Sequence, residues 1–147
     1  MQTAGYEFKK FGSKFFIRIN KGEEIVSTLK TFCIKNNVKL GTIQGIGAIN
    51  SATFGFFNPE TKHYQEKTID KPMEITSLTG NITTKDNETY LHIHMNAAGN
   101  DYNTAGGHLV RAVVSLTAEI AVEQLSGTVE RTFCEKTGLN LMDFNKA

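Results

Sequence analysis

One amphipathic helix pattern followed by about a hundred residues of strand-like sequence is the feature that most constrains this fold. Apolar side chains recur at i, i+4, i+7 and i+8, forming one stripe of Ile25, Leu29, Phe32 and Cys33. Residues 20–23, with Asn first and Glu fourth, have the composition of a capping box, and the two Asn at 36–37 tolerate a left-handed stop. The sequence therefore predicts one main helix over about residues 22–36.

After the helix, residues 42–57 are rich in β-branched, aromatic and Gly residues, which predicts a strand. Turn-like segments then separate further runs, and strands are expected near 6–10, 14–19, 63–69, 73–84, 89–96, 109–115, 118–125 and, more weakly, 128–134. Both Pro residues lie before residue 73, as continuous sheet pairing prefers. We expect an α+β fold (α/β-type mixed) with a mostly antiparallel sheet, and a bulge at Gly80 where the apolar alternation slips.

Length and composition favour one ordinary globular domain spanning residues 1–147. The chain has 39% hydrophobic and 21% charged residues, and no apolar run approaches the roughly 20 residues of a membrane-spanning helix. Cys33 and Cys134 are far apart, and the N-terminal residues lack a basic start followed by an apolar stretch. A reducing, cytoplasmic location is the expectation.

The charge balance argues against a protein that binds DNA mainly through phosphates. There are 16 Lys and Arg residues against 15 Asp and Glu, and no basic run exceeds two residues. Phosphate neutralisation requires a basic stripe or patch. The His residues, four in number, are therefore the more informative polar side chains.

Strict alternation marks the segment 90–96, Tyr-Leu-His-Ile-His-Met-Asn. Side chains of a strand alternate between its two faces, so His92 and His94 share a face, roughly 7 Å apart along the strand. If residues 96–106 form the loop of an antiparallel hairpin centred on Asp101, then His94 pairs with His108. Three imidazoles so arranged can converge on one ion at about 2 Å per bond.

Such a site would supply three neutral nitrogen ligands and leave one coordination position open. Zinc, iron, nickel and copper accept this donor set better than magnesium or calcium. Glu74, Asn96, Asp101 and Glu119 are candidates for additional ligands, outer partners or proton carriers. The competing interpretation is that His92 and His94 lie on a solvated face and that His108 merely follows a Gly-Gly turn. His63 is expected to be an exposed residue, and Cys33 a buried hydrophobe.

Four blocks of sequence resemble the PPC domain (also called PCC or DUF296), known from stand-alone prokaryotic proteins and from plant AT-hook nuclear proteins. The blocks occur in the family's order within about residues 15–123, and they are Arg18–Glu24, Gly45–Ala48 with Gly55–Phe57, Glu74–Asn81, and Leu91–His94 with Gly106–Leu109. The resemblance implies the PPC-domain fold, a homotrimer, and a metal ion held by His92, His94 and His108. Zinc is the expected metal, one ion per subunit, with iron or nickel as alternatives.

Two further functions are implied by the resemblance. A more distant likeness of fold links PPC domains to acetolactate decarboxylases, which use a three-histidine zinc site, so a metal-dependent lyase acting on a small carboxylic acid is one alternative. The plant members bind DNA through an Arg-Gly-Arg-Pro AT-hook that this sequence lacks. A DNA-associated or protein-interaction scaffold is the other alternative, and the sequence alone does not choose a reaction.

Overall fold

A computed structural model of the chain describes residues 5–146. In this range one helix, α1 (Ile25–Lys35), accompanies nine strands. The strands are β1 (Tyr6–Phe11), β2 (Lys14–Asn20), β3 (Gly41–Asn58), β4 (His63–Ile69), β5 (Met73–Lys85), β6 (Glu88–Ala98), β7 (Thr104–Gln124), β8 (Glu130–Cys134) and β9 (Leu139–Asp143). The predicted α+β class with a mostly antiparallel sheet is confirmed.

All nine strands belong to one sheet, ordered β1-β2-β7-β3-β5-β8-β9 along its main path. Strand β4 pairs with β3, while β6 pairs with both β5 and β7. Because β3 also pairs with β5 and β7, the four strands β3, β5, β6 and β7 pair in a closed ring. Closure satisfies the backbone groups of these strands on both edges.

Helix α1 packs against β6 and β7 with its predicted apolar stripe, whose four side chains are completely buried. The capping-box prediction at residues 20–23 is wrong, since the helix begins at Ile25. Glu24 is still extended (φ −93°, ψ 125°) and bridges to Val113, so the chain is held to the sheet up to that point. The Glu24 carboxylate caps the helix, accepting from Val26 N at 2.9 Å and Ser27 N at 2.7 Å.

An aromatic cluster lies next to the helix, and we define it as the buried residues Tyr6, Phe15 and Phe32 with the exposed Phe8. The Phe32 ring contacts the other three edge to face, with ring centroids 5.1 to 5.8 Å apart. This geometry places the positive edge of one ring against the negative face of another. The cluster ties α1 to the β1–β2 hairpin.

Two strand predictions require correction. Residues 109–115 and 118–125 form one strand, β7, because β2 pairs with it through Thr117, across the expected break. Gly80 is not a bulge, since it pairs regularly with Ile43 and Ile93. The register shift on β5 lies between Ile75 and Ser77. Gly80 is instead required by close approach, because a Cβ there would overlap the carbonyl oxygen of His92.

The C-terminal part forms a further hairpin from β8 and β9, of which only β8 is predicted by the sequence. It joins the rest of the sheet through a parallel contact between Thr84 and Glu130. Between residues 5 and 146, no helix has the length and hydrophobicity needed to cross a bilayer.

Candidate metal centre

The β6–β7 hairpin has the predicted register. His94 lies opposite His108, and the ladder continues regularly to the pair of Ala98 with Thr104. The turn is tighter than the predicted loop over 96–106, because pairing persists to within three residues of Asp101 on each side. The prediction that His94 faces His108 is therefore confirmed.

The alternation along β6 separates apolar side chains from imidazoles. Ile93 and Met95 are buried in the core, whereas His92 is half-buried and His94 exposed on the opposite face. The three imidazole rings of His92, His94 and His108 have centroids 5.1 to 5.6 Å apart. One nitrogen of each ring lies within 4.8 Å of the other two.

Tetrahedral zinc with bonds of about 2.1 Å needs its nitrogen ligands about 3.4 Å apart. The three nitrogens lie within 4.8 Å of one another, at most about 1.4 Å beyond that spacing, so the donor set fits a transition-metal ion. The Nδ1 atom of His108 is buried and has no hydrogen-bond partner among the described residues. Buried polar atoms are normally paired, so this nitrogen is available to a ligand.

The backbone before His108 depends on glycine. Gly107 has φ 153°, which side-chain-bearing residues rarely adopt, and a Cβ there would lie 3.1 Å from the carbonyl oxygen of Gly55. His108 itself lies between two strands, opposite Gly55 on β3 and His94 on β6. Gly107 thus lets β7 run close to β3, and Gly106 lets it run close to Met95 and Asn96 on β6, while His108 joins the other two imidazoles.

The imidazoles line a cavity of about 360 Å³. Its walls come from β3, β4, β6, β7, β8 and β9, and they comprise Gly55, Phe56, Phe57, Tyr64, Tyr90, His92, His94, Gly107, His108, Arg131, Leu139, Asn140 and Leu141. The volume lies within the range of small-molecule sites. The three histidines are therefore accessible to a small ligand but are surrounded largely by aromatic and aliphatic groups.

Burial keeps two of the imidazoles neutral. The pKa of His92 is lowered to about 4, chiefly by burial and further by the positive charge that His108, Arg131 and His94 can carry. Burial also lowers the pKa of His108, with His94 adding to the effect and Glu66 opposing it. Neutral imidazole is the form that binds a metal ion, so protons do not compete strongly at these two residues near pH 7.

Arg131 is the cavity residue that the sequence analysis missed. Its side chain is 6% exposed, and it donates from Nε to Thr83 Oγ1 at 2.8 Å and from Nη1 to the Asn140 carbonyl at 2.9 Å. The guanidinium carbon lies 4.8 Å from the centroid of the Tyr90 ring. No sequence motif surrounds Arg131, which lies in a weakly predicted strand. Its place at the site is evident only in the folded structure, where β8 forms part of the cavity wall.

The four candidate accessory residues do not line the cavity. Glu74 is exposed and pairs with Ala98, near the far end of β6. Asn96 lies two residues beyond His94, where its carbonyl accepts from the Thr76 hydroxyl. Asp101 is exposed in the β6–β7 turn and accepts from Asn103, and Glu119 is exposed in a separate groove.

The remaining candidates behave as predicted. His63 is exposed and does not line the cavity. Cys33 is completely buried, and burial raises the pKa of its thiol to about 12, as expected for a residue that acts as a small hydrophobe. Cys134 also lies outside the cavity lining.

Comparison with solved structures gives similar chains over nearly the full length. A putative DNA-binding protein from Bacteroides thetaiotaomicron is 42% identical, with a TM-score of 0.95 and coverage of 97% of this chain and 99% of the other. A metal-containing protein from Archaeoglobus fulgidus is 37% identical, with a TM-score of 0.84 and the same coverages. A plant- and prokaryote-conserved (PPC) protein from Pyrococcus horikoshii is 31% identical, with a TM-score of 0.83 and complete coverage of both chains.

The expected likeness of fold to acetolactate decarboxylase is also found. The enzyme from Bacillus subtilis subspecies spizizenii is 12% identical with a TM-score of 0.54, and the match covers 79% of this chain and 54% of that one. At this identity the likeness concerns the fold alone. The search of curated proteins gives no match.

The family model of the Plants and Prokaryotes Conserved (PCC) domain matches residues 6–126, which include α1, strands β1 to β7 and all three clustered histidines. The predicted resemblance is confirmed. The chain belongs to the PCC domain family.

Proposed function

We propose that the protein binds one transition-metal ion per subunit through His92, His94 and His108, with zinc the expected metal and iron or nickel the alternatives. The observation that carries this proposal is the convergence of three imidazole nitrogens within 4.8 Å. The unpartnered Nδ1 of His108 and the lowered pKa values of His92 and His108 support it. The metal-containing relative from Archaeoglobus, 37% identical, adds support from outside the chain.

A bound zinc ion would act as a Lewis acid with a coordination position open to water or a small ligand. The chain's own residues supply the surroundings. The three imidazoles act as neutral donors, and the aromatic and aliphatic walls limit the water around them. Arg131 contributes a permanent positive charge at the same cavity.

Metal binding is tested on the purified protein after chelator treatment and dialysis. Calorimetric titration with zinc should give one ion per chain for the parent protein. The control variant His63→Ala, which changes an exposed histidine outside the cavity, should give the same result. Replacing any of His92, His94 or His108 by Ala should weaken binding at least about 100-fold, since even the loss of a ligand's outer partner costs 10- to 100-fold. Equal zinc binding by the triple variant and the parent would refute the proposal.

We also propose that the protein assembles as a homotrimer. Exposed apolar side chains on the outer face of the sheet support assembly, since Phe16 and Ile46 line one groove and are 57% and 56% exposed. Light scattering after size exclusion should give three times the chain mass of 16.3 kDa. Phe16→Glu should shift the parent's trimer to monomer, whereas a parent protein that is already monomeric would contradict the proposal.

Association with DNA is a second candidate function, favoured by the putative DNA-binding protein that is 42% identical. The net charge of +1 opposes it, because phosphate contacts need clustered cations. A gel-shift titration of the protein with DNA at increasing salt tests whether the protein binds DNA through phosphate contacts. Binding that weakens steeply with salt would support phosphate contacts, and the absence of a shift at low salt would remove this candidate.

A metal-dependent lyase is the third candidate, favoured by the fold shared with acetolactate decarboxylase. Glu74 and Glu119, the proton carriers expected from the sequence, lie outside the cavity lining. Among the residues that line it, none carries a carboxylate. Turnover of small 2-oxo and 2-hydroxy acids by zinc-loaded protein tests this candidate, and a lyase acting through either Glu would lose activity in Glu74→Gln or Glu119→Gln.

We infer a cytoplasmic location from the state of the cysteines. Cys33 and Cys134 are both unpaired thiols. Disulfides are scarce in reducing compartments. Fractionation of cells producing the native protein should recover it with cytosolic markers, and recovery in an oxidising compartment would contradict this location.

A further inference from the structure

Arg131 is a buried cation, and the described residues provide no counter-ion for it. In the part of the chain that the structure describes, no carboxylate lies within ion-pair distance of its guanidinium. Two of its nitrogens are occupied, Nε by Thr83 and Nη1 by the Asn140 carbonyl, and the described residues provide no acceptor for Nη2. Arg131 lines the cavity and its Nη2 remains accessible to solvent, so an anion from outside the chain would pair with a charge that the described residues leave uncompensated.

The cavity beside Arg131 is suited to such an anion. None of the described residues that line it is acidic, and the three histidines line the same cavity as Arg131. Any divalent ion at the histidines would add positive charge. With a metal ion bound, an anion entering this cavity would meet positive charge from two sides, and the Glu66 carboxylate, which acts on His108, lies outside the lining.

The walls favour an organic acid over a phosphate. Arg131 is the one permanent cation among the lining residues, whereas a phosphate dianion calls for more charge and more donors. Phe56, Phe57, Leu139 and Leu141 provide apolar surface for a hydrocarbon part of the ligand. The volume of about 360 Å³ admits a small molecule of this kind.

We propose that this cavity binds a small organic acid, with the ligand's carboxylate on the guanidinium of Arg131 and the rest of the ligand facing the three histidines. The inference deepens the proposed metal centre by giving its ligand class, and its metal-dependent part rests on that proposal. Arg131 and the β9 wall lie beyond residues 6–126, so this part of the site is outside the match to the family model.

The experiment follows the Nε–Hε resonance of Arg131 by proton–nitrogen NMR, assigned through its loss in Arg131→Lys. Butyrate, 2-oxobutyrate, the neutral analogue butyramide and inorganic phosphate are titrated into zinc-treated and metal-free protein. A saturable shift with the two acids, absent with butyramide, is expected in the zinc-loaded protein. The shift should persist at lower affinity in the metal-free protein, because the guanidinium pairs with the carboxylate in either state.

Affinity for 2-oxobutyrate, measured by calorimetry, should fall at least about tenfold in Arg131→Gln. The affinity of Arg131→Lys should fall less, because lysine keeps the positive charge but loses the planar guanidinium that Thr83 and Asn140 hold in place. Arg18→Gln is the matched control, since it removes the same charge from an exposed arginine that pairs with Glu7 outside the cavity, and it should bind as the parent does. If Arg131→Gln does not fold, the comparison of acid with amide on the parent protein decides.

Equal effects of butyrate and butyramide, or no shift with either acid in both metal states, would overturn the proposal. Phosphate binding tighter than either acid would overturn the choice of a carboxylate. Failure of the metal centre gives a different result, in which zinc does not bind but the acids still shift Arg131. The two proposals can therefore fail independently.

Discussion

The aromatic cluster and the three-histidine cluster have nearly the same geometry but different chemistry. Ring centroids are 5.1 to 5.8 Å apart around Phe32, and 5.1 to 5.6 Å apart among His92, His94 and His108. Phe32 is completely buried, and its hydrocarbon side chain has no polar group that requires a hydrogen-bond partner. The imidazoles instead direct nitrogens towards one another, and the buried Nδ1 of His108 has no protein partner within residues 5–146.

The difference separates residues that stabilise the fold from residues that await a ligand. A packed hydrocarbon side chain stabilises the fold without any ligand, and truncating it leaves a destabilising cavity. The clustered nitrogens lie within 4.8 Å of one another, and the buried Nδ1 of His108 has no hydrogen-bond partner among the described residues, so the cluster adds little stability without a ligand. The first cluster should therefore dominate the stability of the metal-free protein, and the second should dominate metal affinity.

Phe32→Ala is expected to give the largest effect on stability. Truncating a completely buried Phe removes its contacts with three rings and leaves a cavity, costing about 3–5 kcal/mol in the free energy of unfolding. Urea denaturation of metal-free protein measures it. Zinc affinity of the folded fraction should stay unchanged, and a loss below 1 kcal/mol would show that the cluster is not a principal support of the fold.

His108→Ala should give the reverse result. Zinc affinity should fall at least about 100-fold, or roughly 2.7 kcal/mol. The metal-free variant should unfold within about 1 kcal/mol of the parent, because the deleted Nδ1 has no hydrogen bond to lose. A variant that loses several kcal/mol without metal yet keeps zinc affinity would show that His108 acts in packing rather than in ligation.

The stability of the metal-free protein should fall as the pH drops from about 6.5 to about 4. In this window unfolded His92 takes up a proton, whereas the folded residue stays neutral because burial and neighbouring charges lower its pKa to about 4. Unfolding is then favoured by the additional bound proton. Chemical denaturation of the parent and of His92→Gln at several pH values isolates this contribution, and parallel pH profiles for the two proteins would contradict it.

Substitutions outside the cavity should give the smallest effects. Glu119→Gln and Asp101→Asn change exposed residues that do not line the site, so zinc affinity should change less than about twofold. Calorimetric zinc titration of both variants beside the parent provides the measurement. A tenfold loss of zinc affinity in either variant would show that the substituted residue takes part in metal binding, which was the initial prediction from the sequence.

The sequence predicted best what depends on short-range periodicity. The apolar stripe of α1, the alternation of β6 and the pairing of His94 with His108 all follow from side-chain spacing and one symmetric turn. These local features were enough to bring the three histidines to one face. Helix capping was less predictable, because the position of the cap depends on a long-range contact. Glu24 is held at the start of the helix by its bridge to Val113, which lies 89 residues later in the sequence.

Long-range contacts account for what was missed. The β8–β9 hairpin reaches the cavity only because the chain folds back so that Glu130 pairs beside Thr84, and no motif in residues 127–143 indicates this. Arg131 therefore could not be assigned from its neighbours in sequence. In the same way, the candidate carboxylates Glu74 on β5 and Glu119 on β7 do not line the cavity that holds the histidines.

Anomalous diffraction from crystals grown with zinc, measured on both sides of the zinc absorption edge, tests the metal centre most directly. We predict one peak per subunit, at about 2 Å from one nitrogen each of His92, His94 and His108. No peak at these histidines, with zinc instead at His63 or Cys134 or nowhere on the chain, would contradict the three-histidine centre.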